Sequence, residues 1–136
     1  MSRILCLDYG GKRTGIAVTD PMQIIATALM TIETKTLMAF LKDYFAKEPV
    51  ELILIGMPLN LDDTPTHGTP LVLAAIKQLQ KNFPTMPVQT VDERYSSKNA
   101  SRAMVEMGMK KKDRQVKANI DQVAATMLLQ EYLLNR

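Results

Sequence analysis

The chain predicts an α/β fold: a mixed five-stranded sheet with helices on its faces. Three observations carry this. Three extended segments fall within the first 32 residues and are joined by short turns, so they form an antiparallel meander. Two later strand-like runs, at 52–55 and 88–91, are each reached through a helical stripe. A crossover of that kind returns the chain parallel to where it started, so both later strands should run parallel to the first.

The elements follow in order. Residues 3–8 read as a buried strand, because Ile4-Leu5-Cys6-Leu7 is unbroken and apolar, and Asp8 closes it. Gly10-Gly11 reads as a turn, since glycine accepts positive φ. Thr14-Gly15-Ile16-Ala17-Val18-Thr19 returns as the second strand of a hairpin, and Asp20-Pro21 ends it. Residues 26–32 read as a third, edge-like strand. Leu37, Phe40, Leu41, Tyr44 and Phe45 recur at helical spacing, and the helix stops before Pro49. Leu52-Ile53-Leu54-Ile55 is a strand covered on both faces, left by the loop Gly56-Met57-Pro58-Leu59-Asn60.

Thr69-Pro70 looks like an N-cap with proline in the first turn, opening a helix whose stripe is Val72, Ala75, Ile76, Leu79 and Phe83. Pro84 and Pro87 bracket the turn into a strand at 88–91. Ser96 or Ser97 can cap a helix carrying Ala100, Ala103, Met104 and Met107, with Gly108 as its stop. A basic loop covers 109–117. The last helix shows Ile120, Val123, Ala124, Met127, Leu128 and Leu134.

At 136 residues, without repeats, low-complexity tracts or linkers, residues 1–136 are expected to form one domain. The single cysteine excludes an intramolecular disulfide and suits a reducing compartment; inside a strand-like run, Cys6 reads as a buried, inert thiol. No stretch is long and apolar enough for a membrane span, and the N-terminus lacks the basic start and apolar run of a signal peptide. A cytoplasmic protein without membrane partners is expected.

The formal net charge of +3 is compatible with nucleic acid, and its distribution says more. Three acids, Asp8, Glu93 and Asp121, stand where strands end or a helix opens. Cations cluster beside them: Lys12 and Arg13 after the first, Arg94 after the second, and Lys110, Lys111, Lys112, Arg114 and Lys117 before the third. A carboxylate cluster ringed by cations suits divalent metal and a polyanionic, phosphodiester substrate.

Each candidate has a plainer reading. Asp8 could be the acid at a hairpin mouth, and Lys12 and Arg13 solvated turn residues. Glu93-Arg94 could be a surface ion pair. An acid in a helix's first turn is favoured by the helix dipole alone, which would explain Asp121. Asn60 could simply form a turn, and His67 suits a solvated loop better than a proton relay. Asp92 should face away from Glu93, in a supporting role. Tyr95 alone among the aromatics adjoins a motif, so base stacking should not dominate recognition.

Four stretches together resemble a known family. Asp8-Tyr9-Gly10-Gly11-Lys12-Arg13-Thr14-Gly15-Ile16-Ala17-Val18 resembles the opening motif of the YqgF/RuvX family of RNase H-like nucleases. Ile55-Gly56-Met57-Pro58-Leu59-Asn60-Leu61-Asp62 is similar to its second loop, and Asp92-Glu93-Arg94-Tyr95-Ser96-Ser97 to its third motif. Asp121-Gln122-Val123-Ala124-Ala125-Thr126-Met127-Leu128-Leu129-Gln130 is similar to its C-terminal helix. The matches occur in family order and span nearly the whole chain. Two departures stand out: Gly11 replaces the residue, often threonine, that follows the first glycine, and Asp63 replaces a loop glycine.

The resemblance implies an RNase H-like fold related to the RuvC resolvases. It implies a metal-dependent nuclease that processes the 5′ end of pre-16S ribosomal RNA, with Holliday-junction DNA cleavage as the alternative. By matched position, Asp8, Glu93 and Asp121 are the catalytic and metal-binding acids, for Mg²⁺ or Mn²⁺. Lys12, Arg13, Asn60, Arg94 and Ser96 are the substrate-binding residues. The implied partners are pre-ribosomal RNA or branched DNA, with ribosomal particles, in a monomer or homodimer. Two rival readings remain open. One is an actin- or sugar-kinase-like ATPase, whose first motif also joins an acid, glycines and a hairpin. The other is a non-catalytic module that binds structured nucleic acid.

Overall fold

A computed structural model describes residues 2–58, 66, 68–92 and 117–136, with the backbone alone for 117–121. The described residues form one five-stranded sheet: β1 (Arg3–Tyr9), β2 (Arg13–Thr19), β3 (Ala26–Glu33), β4 (Val50–Met57) and β5 (Val88–Asp92). A short 3₁₀ turn (Thr34–Thr36) leads into α1 (Leu37–Lys47); α2 (Thr69–Asn82) joins β4 to β5, and α3 (Lys117–Asn135) ends the chain.

The strand order is β3-β2-β1-β4-β5, with β1 antiparallel to β2, β2 antiparallel to β3, and β1, β4 and β5 parallel. This is the expected mixed sheet, with β3 on an edge as expected. Its exposed Met30, and the lack of any fully buried residue along it, fit that position. The strand at 52–55 is longer than its apolar core: β4 runs on through Gly56 and Met57, paired with Val91 and Asp92 of β5, so Gly56 is a strand residue rather than the start of a loop. The 96–108 helix and most of the 109–117 loop lie outside the described residues.

The sheet is covered on both faces, and strand alternation sorts its side chains between them. Leu5, Leu7, Ile16, Val18, Ile53 and Ile55 pack with Leu37 and Leu41 of α1 and with Val72, Ala75 and Leu79 of α2. Phe45 meets Phe83 edge-to-face at 5.0 Å, tying the end of α1 to the end of α2. On the other face Ile4, Cys6, Ala17 and Leu54 pack with Ala125, Leu128 and Leu129 of α3. Cys6 is fully buried there, as expected.

Two local expectations change. Thr69 is not the N-cap of α2; Gly68 holds that position, with Val72 N–H bonding its carbonyl. The Thr69 hydroxyl turns backward, accepting the Thr66 N–H at 2.9 Å and donating to the Pro58 carbonyl at 2.5 Å. Glycine at position 10 is required by space rather than by positive φ. A Cβ there would stand 2.5 Å from the Arg13 carbonyl oxygen, whereas one at Gly11 would meet only Leu71 Cδ1 at 3.8 Å. The departure at Gly11 therefore falls where a side chain fits.

Candidate active site at the strand ends

Asp8 is the penultimate residue of β1, the central strand, and lies half-buried. Alternation from Ile4 and Cys6 assigns it to the face covered by α3. Directly opposite on β2 is Gly15. On the other side the β1–β4 register, ending at Leu7 against Ile55, brings Gly56 to the same level. Asp8 is thus flanked on both neighbouring strands by residues without side chains. Strand-interior glycines mark a close approach of backbone or ligand. Glycine inside a strand was the signal for both, though neither was singled out from the sequence.

The direction of α3 follows from its far end. Arg136 donates from Nη1 to Gln23 Oε1 at 2.5 Å and from Nη2 to the Gln23 carbonyl at 2.9 Å. Gln23 in turn donates to the Ser2 carbonyl and bonds Glu51, beside the starts of β1 and β4. The C-terminus of α3 therefore sits where β1 begins, and its N-terminal half runs toward the end of β1 that carries Asp8.

Asp121 does not open this helix. α3 starts four residues earlier at Lys117, and its first turn holds no acid. Capping the helix dipole therefore does not account for Asp121. Its backbone belongs to α3, one turn before Ala125; its side chain is outside the described residues. Asn60, Glu93, Arg94, Ser96 and His67 also lie outside them. β5 ends at Asp92, one residue before Glu93, in register with Met57 at the end of β4.

The turn after Asp8 is held by residues the sequence did not single out. Thr34 donates its hydroxyl to the Gly10 carbonyl at 2.6 Å. Its proton being spent there, the 2.9 Å contact with Thr14 Oγ1 has Thr14 as donor. The Thr34 N–H also bonds the Lys12 carbonyl at 2.9 Å. Lys12 is exposed and Arg13 half-buried, and both line a surface cleft with Gly11, Glu33 and Lys35. On the opposite flank Pro58, just past β4, accepts hydrogen bonds from the Thr66 and Thr69 hydroxyls, which tie Thr66 and the start of α2 to the end of β4.

An acid at the end of the central strand, a cationic turn after it and a helix running back toward it are set on a sheet of RNase H-like class. T. thermophilus RuvC, solved with a Holliday junction substrate, shares that fold with a TM-score of 0.55 at 13% identity, covering 98% of this chain and 94% of that one. The family model described as "RuvX: Holliday junction resolvase" matches residues 2–135, and the chain belongs to the RuvX family. A relative from Flavobacterium psychrophilum named "Putative pre-16S rRNA nuclease" is 49% identical, covering 100% of this chain and 99% of its own length. Relatives of the same name from Flavobacterium johnsoniae and Bacteroides thetaiotaomicron are 51% and 49% identical over 100% and 98% of this chain, and over 99% and 96% of their own lengths.

Proposed function

We infer that this chain is a metal-dependent nuclease, a hydrolase of phosphodiester bonds, that trims the 5′ end of pre-16S ribosomal RNA. Family membership carries the nuclease class, and the relatives' names carry the substrate. The observation that supports the site is Asp8 itself. A half-buried carboxylate lies between two glycines, at the sheet end where β4 and β5 also finish and toward which α3 returns.

Asp8, Glu93 and Asp121 would hold Mg²⁺ or Mn²⁺, both of which take oxygen ligands. Asp8 fits this role: its donors are carboxylate oxygens, and its neighbours on both adjoining strands are glycines, with no side chain to compete for the ion. Glu93 follows Asp92, the last residue of β5, directly in the chain. Asp121 precedes Ala125 by four positions, a spacing that shares one helical face. Bound there, the metal would supply Lewis-acid polarisation of the phosphoryl group and a nucleophile at neutral pH. Lys12 and Arg13 hold the backbone phosphates, Arg94 grips one bidentately, and Asn60 and Ser96 bond phosphate or sugar oxygens. Residues 1–136 act as one domain in this reading, in the cytoplasm.

The description of the family model supports a second reading, cleavage of branched DNA. One experiment separates the two. A labelled pre-16S 5′ fragment and a four-way DNA junction are incubated with wild type and Asp8→Asn, in Mg²⁺, Mn²⁺ or EDTA. RNA cleavage lost both in EDTA and in the variant is the expected result. Junction cleavage alone would move the protein to the resolvase class. Full activity of Asp8→Asn would overturn the site.

A further inference from the structure

We propose that Lys35 is a third contact to the backbone phosphates of the substrate, completing a cradle with Lys12 and Arg13 on the β3 side of Asp8. The inference rests on the nuclease reading above and adds to it a residue and a direction. Arg13 and Glu33 face each other in the β2–β3 register, so the 3₁₀ turn leaves the sheet beside the turn that follows Asp8. The cleft between the two turns is lined by Gly11, Lys12, Arg13, Glu33 and Lys35, three cations against one carboxylate. The Thr34 clasp joins the turns through Gly10, Lys12 and Thr14, so Lys35 is carried by the residue that anchors Lys12.

The ion pair of Lys35 with Glu33, at 3.2 Å, does not compete strongly. Both side chains are largely exposed, at 81% and 66%, and such pairs contribute little in water. A phosphate entering the cleft can replace Glu33 as the partner of Lys35. The cradle lies toward β3, whereas β4 and β5 lie on the other side of Asp8. The substrate backbone therefore crosses the rim from the β3 side toward the metal site.

The test is fluorescence anisotropy of a labelled single-stranded RNA against the full chain, in EDTA to suppress cleavage, over a range of salt. Each phosphate contact to a single strand contributes about 0.7 to the log–log salt slope, or about fivefold in affinity near 0.1 M salt. Lys35→Gln should bind about fivefold more weakly, with a slope shallower by about 0.7. Lys35→Arg should restore affinity, and Glu33→Gln should bind more tightly than wild type. The control is Lys81→Gln, an exposed site near the end of α2, at the opposite end of the sheet, which should match wild type. If wild type binds with steep salt dependence while Lys35→Gln matches Lys81→Gln, the Lys35 assignment is overturned and the nuclease reading stands. If wild type shows no salt-dependent binding, the nuclease reading fails and takes this one with it.

Discussion

Replacing Thr34 with valine would remove one hydroxyl and keep the shape of the side chain. That hydroxyl donates to the Gly10 carbonyl at 2.6 Å and accepts from Thr14 Oγ1 at 2.9 Å, both in partly buried surroundings. Each bond contributes about 1 kcal/mol net, so the loss should be about 2 kcal/mol. The backbone bond from Thr34 to the Lys12 carbonyl survives the change. For a chain of 136 residues, with unfolding entropy of about 2.1 cal/mol/K per residue, this lowers Tm by about 7 °C. Thr34→Ser keeps the hydroxyl and should stay within about 2 °C of wild type on the same scale. Differential scanning calorimetry reads both. Thr34→Val melting with wild type would refute the clasp. Thr34→Ser falling as far as Thr34→Val would show that the methyl group, not the hydroxyl, matters. Because the lost hydroxyl fastens Gly10 and Thr14, on either side of Lys12, Thr34→Val should also raise KM for RNA more than it lowers kcat.

Three further outcomes are expected. Gly10→Ala drives a Cβ to 2.5 Å from the Arg13 carbonyl, so the turn must shift; KM should rise several-fold in steady-state cleavage, while Gly11→Ala, with its nearest contact at 3.8 Å, should behave as wild type. Leu129→Ala removes a fully buried side chain between α3 and the sheet and should cost about 2–5 kcal/mol by urea denaturation. The Asp20 carboxylate is held below its ordinary value of 3.8 by the Ile25 N–H first, against some desolvation, and by the Ile24 and Met22 N–H groups. A depressed carboxylate contributes stability above the unfolded value and loses it as pH falls through the folded one. The Tm gap between wild type and Asp20→Ala should therefore be full at neutral pH and close below about pH 3.8.

Much of this fold was legible residue by residue. The short unbroken runs at Ile4–Leu7 and Leu52–Ile55 read as strands buried on both faces, and helical spacing marked the stripes of α1 and α2. Parallel pairing followed from the crossovers. Asp8 was legible because an acid is costly inside an apolar strand and must sit at its end. Thr69 was misread as a cap, since its tertiary partner, the Pro58 carbonyl, cannot be seen in local sequence. Asp121 was read as the opening of its helix because Lys117-Ala118-Asn119 shows no apolar stripe before Ile120. Thr34 and Lys35 carried no motif at all; they matter only because β3 ends beside the turn between β1 and β2.

By itself, the sequence determined the order of the described strands and α-helices and the acid at the end of the first strand, together with its resemblance to a nuclease family. These depend on periodicity and on the cost of burying charge, which act over a few residues. Only the tertiary structure decided that Gly15 and Gly56 flank Asp8, that α3 runs back toward it, and that a threonine beyond β3 fastens the cationic turn. Those are consequences of strand register and helix direction. Both are set by packing between segments up to 113 positions apart in the chain, as in the bond from Arg136 to Gln23.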